Sequence, residues 1–111
     1  THHLFSDRQF EQMPRSAILI NTARGAIVDP DALYRALVQG QIAAAALDVT
    51  EPEPIPDNSP LLTLENLIIT PHIASASRQT REKMATMAIA NLIAGIRGDR
   101  LPHCVNPDVY R

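Results

Sequence analysis

Leu67-Ile68-Ile69-Thr70-Pro71-His72-Ile73-Ala74-Ser75-Ala76-Ser77, residues 67 to 77, decides how this chain is read, because a short apolar run ends abruptly in proline, histidine and small hydroxyl residues. Leu67 to Ile69 is β-rich and apolar on both faces, the pattern of a strand in a parallel sheet covered by helices. Pro71 has no N–H to donate and biases Thr70 toward extended backbone, so the strand is predicted to end at Thr70. His72 then stands at the carboxyl end of a strand, where open α/β sheets bind their ligands. A lone Pro-His pair is more often a loop histidine without chemistry, so its reading depends on partners elsewhere in the chain.

Working outward, Ser77 to about Arg97 reads as a helix stopped by Gly98, with Ala85, Ala88, Ile89, Leu92, Ile93 and Ile96 as its apolar stripe. The tail from Asp99 carries Pro102 and Pro107 and is expected to be irregular. Upstream, Pro52, Pro54, Pro56 and Pro60 exclude regular structure from Glu51 to Pro60, and Leu61 to Leu64 allows one helical turn. Ile42 to Leu47 reads as a strand of small residues, which permit close helix packing. Asp29-Pro30-Asp31 supplies an N-cap, a proline at the first helical position and an acid at the dipole's positive end, so a helix runs from Asp31 to Gln39 with Leu33, Ala36 and Leu37 inward. Ala17 to Asn21 is a third buried strand, and Ser6-Asp7-Arg8-Gln9 has capping-box spacing for a short helix to Gln12. This alternation predicts an α/β fold with a parallel sheet and crossover helices.

Composition bounds the function. The 111 residues are 45% apolar and 20% charged, ordinary for a globular protein. Ten basic against twelve acidic residues give a net charge of -2, with no basic run to follow a phosphate backbone, so nucleic acid is not an expected partner. No apolar run approaches the roughly 20 residues that cross a bilayer, and the first residues lack a signal-peptide plan, so neither membrane nor secretion is expected. The single cysteine, Cys104, fits a reducing compartment, and a cytoplasmic location is expected. No metal site is expected. The chain opens on Thr1 and enters an element-like segment at once, which reads as a piece of a longer protein.

Three polar segments follow the three strands: Thr22-Ala23-Arg24-Gly25, Asp48-Val49-Thr50-Glu51-Pro52-Glu53-Pro54 and Thr70-Pro71-His72. In a parallel sheet these ends share one rim. They offer a guanidinium, a carboxylate and an imidazole, a usable set for reducing the carbonyl of a 2-oxo acid. Arg24 can grip the substrate carboxylate in a bidentate fork. Glu53 can hold one imidazole nitrogen, fixing the tautomer and favouring the protonated ring, and His72 can then give a proton to the carbonyl oxygen.

Ile20-Asn21-Thr22-Ala23-Arg24-Gly25, the D-V-T-x-P-E-P of residues 48 to 54 and Pro71-His72-Ile73 together resemble the signature segments of the D-isomer-specific 2-hydroxyacid dehydrogenases, in that family's order and with like spacing. Gly40-Gln41-Ile42-Ala43-Ala44-Ala45 and Asn58 to Asn66 resemble its glyoxylate/hydroxypyruvate reductases most. The resemblance implies part of a Rossmann-type parallel sheet lacking its first βαβ unit. Residues 1 to 111 would be the carboxyl-terminal part of the NAD(P)-binding domain, with 77 to 111 the long helix and tail returning toward a substrate domain. It implies Arg24 as the substrate-binding catalytic arginine, Glu53 as the acid paired with the histidine and His72 as the proton donor. It places Thr22, Ala23, Arg24, Asp48, His72 and Ala74 beside the cofactor, NADP or NAD, with Asp48 near the nicotinamide carboxamide, and Arg24, His72 and Ser75 beside a small 2-oxo or 2-hydroxy acid. The implied parent enzyme is a homodimer that transfers a hydride from NAD(P)H to glyoxylate or hydroxypyruvate. Ala74 departs from the glycine many relatives carry there, and no G-x-G-x-x-G occurs among only four glycines. Two other readings of the chain are a dehydrogenase-like NAD(H)-binding regulatory protein, such as the C-terminal-binding co-repressors, and an inactive truncated fragment.

Overall fold

The computed structural model describes residues 1–110 and divides into two units, Thr1–Ala74 and Ser75–Arg111. In the first unit three parallel strands, β1 (Ile18–Asn21), β2 (Ala44–Leu47) and β3 (Leu67–Ile69), lie side by side in chain order. The register aligns Asn21 with Leu47 and Leu47 with Ile69, so all three strands end on one row. The next residues, Thr22, Asp48 and Thr70, begin the rim. Backbone bonds carry the pairing one step further, from Asp48 N–H to the Asn21 carbonyl and from Thr70 N–H to the Leu47 carbonyl, each at 2.9 Å.

Helix α1 (Asp7–Glu11) starts after Ser6, whose backbone N–H and hydroxyl both donate to Gln9 Oε1. Helix α2 (Pro30–Val38) is set by Asp29, whose Oδ1 accepts the Asp31 and Ala32 amides, and by Pro30, which has no amide to leave unpaired. Its inner face buries Ala32, Leu33, Ala36 and Leu37 against Phe10, Leu19, Ile42, Ala45 and Leu47. A bidentate pair of Arg35 with Asp7, at 3.0 and 2.7 Å, joins the two helices.

Three differences from the sequence reading have plain causes. β2 begins at Ala44 rather than Ile42, because Gln41 to Ala43 turn the chain from α2 into the sheet, and Ile42 is fully buried while doing so. A 3-10 turn, Gly25–Ile27, follows β1 where only a loop was expected. The strands are covered on one face rather than two: Leu19, Ala45 and Leu47 are buried, while Ile18, Ile20 and Ile68 are 62%, 68% and 65% exposed.

The second unit is built on α3 (Arg78–Arg97), capped by Ser77, whose Oγ accepts the Thr80 amide, and stopped by Gly98 in the left-handed conformation, φ 75°. The expected apolar stripe is present in sequence but unburied; Ile89, Leu92 and Ile96 are exposed. The tail is more ordered than expected. Asn91 pairs with the backbone of His103 through both of its amide atoms, the Leu101 amide donates to the Tyr110 hydroxyl, and Pro107–Tyr110 forms a 3-10 turn. Among the described residues no helix is long and apolar enough to cross a membrane.

Candidate active site

The rim of the sheet gathers the expected groups because each strand stops on the same register row and hands the chain to a polar loop. After β1, the buried Asn21 shapes that loop from within: its Nδ2 donates to the Arg24 carbonyl and its Oδ1 accepts the Ala23 amide, at 2.9 and 3.1 Å. Arg24 sits in this turn with one guanidinium nitrogen on the Ala23 carbonyl and no salt bridge among the described residues. Gly25 follows. A Cβ there would stand 1.9 Å from the Thr50 carbonyl oxygen, so only glycine lets this turn lie against the backbone of the next loop.

After β2 comes Asp48, buried to 5% exposure. Its Oδ1 accepts the Thr70 hydroxyl at 2.6 Å and the Ile73 amide at 2.8 Å, and its Oδ2 accepts the Ala74 amide at 2.8 Å. Thr70's hydroxyl, helped by the Ala74 and Ile73 amides and by nearby His72, holds the carboxyl below its ordinary value against the opposing effect of burial. Two residues further, the loop passes Thr50, whose hydroxyl donates to the Pro52 carbonyl, and it then reaches Glu53 between Pro52 and Pro54.

After β3, Pro71 interrupts the ladder and His72 takes a left-handed backbone, φ 55°. A non-glycine residue held there costs about 1–3 kcal/mol and persists only where its surroundings impose it. His72 Nδ1 meets Glu53 Oε1 at 2.6 Å, with the two side chains 48% and 42% exposed. Nδ1 is thereby committed to Glu53, which leaves Nε2 for chemistry.

Asp48, Glu53, Thr70 and His72 share a cleft of about 490 Å³ whose other walls include Pro54, Ile55, Ile69 and Pro71. That is the size and character of a small-molecule site: apolar walls with a few convergent polar groups. Arg24 does not line it. Thr22 lies with Asp48, Thr70, Ile20 and Ile68 in a shallow recess of about 80 Å³ on the sheet's uncovered face. Ala74 contributes its amide to Asp48, Ala23 its amide to Asn21, and Ser75 opens the second unit. The sequence reading passed over the side chains of Asn21 and Thr70 and the close approach at Gly25. A polar residue as the last of a buried apolar strand was the available signal for Asn21.

A second cluster lies at the amino-terminal end. His2 and His3 stack at 3.8 Å between ring centroids, and their Nε2 atoms meet Glu51 Oε1 and Oε2 at 3.3 and 2.8 Å. The three offer metal-ligand atoms within 4.8 Å of one another. Each ring nitrogen faces its own oxygen of the Glu51 carboxylate. The cluster thus ties residues 2 and 3 to the loop that carries Glu53, and His3, hydrogen-bonded first of all, lowers the Glu51 carboxyl from its ordinary value.

With this geometry in place, comparisons with known proteins agree on one lineage. Residues 1–74 match the family model described as D-isomer specific 2-hydroxyacid dehydrogenase, NAD binding domain. The chain is 52% identical over all its 111 residues to a glyoxylate reductase of Korarchaeum cryptofilum, covering 33% of it, and 53% identical to glyoxylate/hydroxypyruvate reductase B of Pectobacterium atrosepticum, covering 35%. It spans about a third of the length of these curated relatives. A D-isomer specific 2-hydroxyacid dehydrogenase of Xanthobacter autotrophicus, solved with NADPH and MES, superposes with a TM-score of 0.83 at 37% identity, over 100% of this chain and 45% of that one. A three-stranded parallel sheet of Rossmann type, three motifs on its carboxyl rim and a model match over two thirds of its length lead to one conclusion: the chain belongs to the D-isomer-specific 2-hydroxyacid dehydrogenase family, through its NAD-binding domain.

Proposed function

We propose that the whole protein reduces a small 2-oxo acid, glyoxylate or hydroxypyruvate, to the D-2-hydroxy acid with NADPH or NADH, and that this chain supplies its proton donor. The observation that carries the reading is the 2.6 Å Glu53–His72 contact in a cleft at the carboxyl ends of parallel strands. Glu53 holds Nδ1 and so aims Nε2 of His72, whose proton passes to the carbonyl oxygen as that carbon is reduced. Arg24, which makes no salt bridge among the described residues, is the bidentate partner for the substrate carboxylate, with Ser75 and His72 as further contacts.

The residues present fit a nicotinamide cofactor at the rim. Thr22, Ala23, Arg24, Asp48, His72 and Ala74 border it, and Asp48 keeps one lone pair on Oδ2 after its three bonds, an acceptor for a carboxamide N–H. When bound, that cofactor supplies the hydride that reduces the carbonyl carbon. Residues 77 to 111 return the chain toward a substrate domain in this reading. The parent protein is a cytoplasmic homodimer.

Mixing the purified whole protein with glyoxylate or hydroxypyruvate and either reduced cofactor tests this directly through the loss of NAD(P)H absorbance. Turnover with one of the four pairs is the expected result. A folded protein that oxidises neither cofactor with either acid would refute it, and tight cofactor binding without turnover would favour an NAD(H)-binding regulatory role.

A further inference from the structure

We propose that Asp48 is a positioning residue whose carboxylate staples the His72 segment shut. It grips the Thr70 hydroxyl on one side of Pro71-His72 and the Ile73 and Ala74 amides on the other, and so keeps His72 in its left-handed conformation facing Glu53. This rests on the reading of His72 as proton donor and adds a residue that acts through it.

The local chain cannot hold that conformation by itself. Pro71 ends the β3 ladder, and the one backbone bond made by His72, from its amide to the Thr70 carbonyl at 3.0 Å, spans only two residues. The segment from Pro71 to Ser75 is exposed, so packing among the described residues does not clamp it. What spans the strained residue is the buried carboxylate. Asp48 itself is anchored, being the residue after β2 with its amide on the Asn21 carbonyl, in the middle of the sheet. An anion also suits the site: three donors converge on it, and an acid accepts at both oxygens where an amide accepts at one. The imidazole therefore inherits its position from the central strand through one side chain.

The test compares Asp48→Asn, Asp48→Ala and Thr70→Val with the wild type in the whole protein, using two readouts. Amide hydrogen exchange at Ile73 and Ala74 reports the staple without reference to activity. Steady-state kinetics with the 2-oxo acid report positioning. Asp48→Asn turns an N–H toward one of the two amides, so exchange there should accelerate at least tenfold, and kcat should fall about 10- to 100-fold with KM for the oxo acid within about threefold. Thr70→Val removes one of three donors and should give a smaller loss of the same kind, which keeps the proposal open to test if Asp48→Ala does not fold. Unchanged exchange at both amides in Asp48→Asn would overturn the staple. Faster exchange with unchanged kcat, or a rise confined to KM for the cofactor, would overturn the positioning role and leave Asp48 as a cofactor contact. If the wild type reduces no oxo acid, the proposed function fails while the exchange measurements still decide the staple.

Discussion

Replacing Gly25 by alanine should disable the site without touching any group that reacts. The new Cβ would meet the Thr50 carbonyl oxygen at 1.9 Å, its carbon at 2.2 Å and the Glu51 nitrogen at 2.8 Å, all backbone atoms that cannot swing aside. Ordinary contact begins near 3.4 Å, so the turn carrying Arg24 and the loop carrying Glu53 must part by about 1.5 Å. Glu53 lies three residues beyond Thr50. If half of the displacement reaches it, the 2.6 Å bond to His72 stretches to roughly 3.3 Å, the long and weakened end of the hydrogen-bond range. A misplacement of that order is expected to lower turnover about 10²-fold, with overpacking destabilising the fold by about 1–3 kcal/mol. Gly40→Ala is the matched control, because Gly40 has φ 62° with open space around it and lies between α2 and the start of β2, away from the rim. It should destabilise comparably and leave kcat nearly unchanged. Steady-state kinetics beside urea melts would show the contrast. A Gly25→Ala protein with wild-type kcat, or two variants that lose activity in equal proportion to stability, would refute the coupling of the two loops.

His72→Ala should reduce turnover by about 10²–10⁴-fold in the whole protein, with cofactor affinity by fluorescence titration largely kept; near-normal reduction of glyoxylate would remove His72 from the mechanism. Arg24→Lys should raise KM for the 2-oxo acid on the order of tenfold, because a point charge replaces a two-pronged clamp, and an unchanged KM would count against the carboxylate assignment. Asp48 and Glu51 have carboxyl groups lowered chiefly by Thr70 and His3 respectively, so unfolding in acid takes up protons. Their contribution is complete above the ordinary values of 3.8 and 4.5 and is lost as pH falls through the still lower folded values. Urea midpoints should therefore drop between about pH 5 and pH 3, with a shallower drop in Asp48→Asn; parallel slopes for the two proteins would show that Asp48 is not among the groups responsible.

Much of the fold was legible because it rests on local chemistry. Asp29-Pro30-Asp31 starts α2 wherever it is placed, since the cap, the missing amide and the dipole act within one turn, and the predicted inward residues Leu33, Ala36 and Leu37 are all buried. Pro71 ends β3 for an equally local reason, and the three polar segments after the strands were visible as motifs. The start of β2 was misplaced because Ile42 is apolar enough for a strand, yet its burial is used in a turn. The uncovered face of the sheet could not be read from Ile18, Ile20 and Ile68 either, since an apolar side chain carries no record of what covers it.

By itself, then, the order of residues determined which groups the rim would offer: Arg24, Asp48, Glu53 and His72, each just past a strand. Only the tertiary structure decided how they engage. The register that ends β1, β2 and β3 on one row brings the Asp48 carboxylate to the Thr70 hydroxyl and the Ile73 and Ala74 amides, and Glu53 to His72, across separations of 19 to 26 residues. The close approach at Gly25 is likewise a contact between two loops. Hydrogen bonds and steric contacts depend on ångström distances between atoms far apart along the chain, and periodicity and propensity encode the conformation of near neighbours alone.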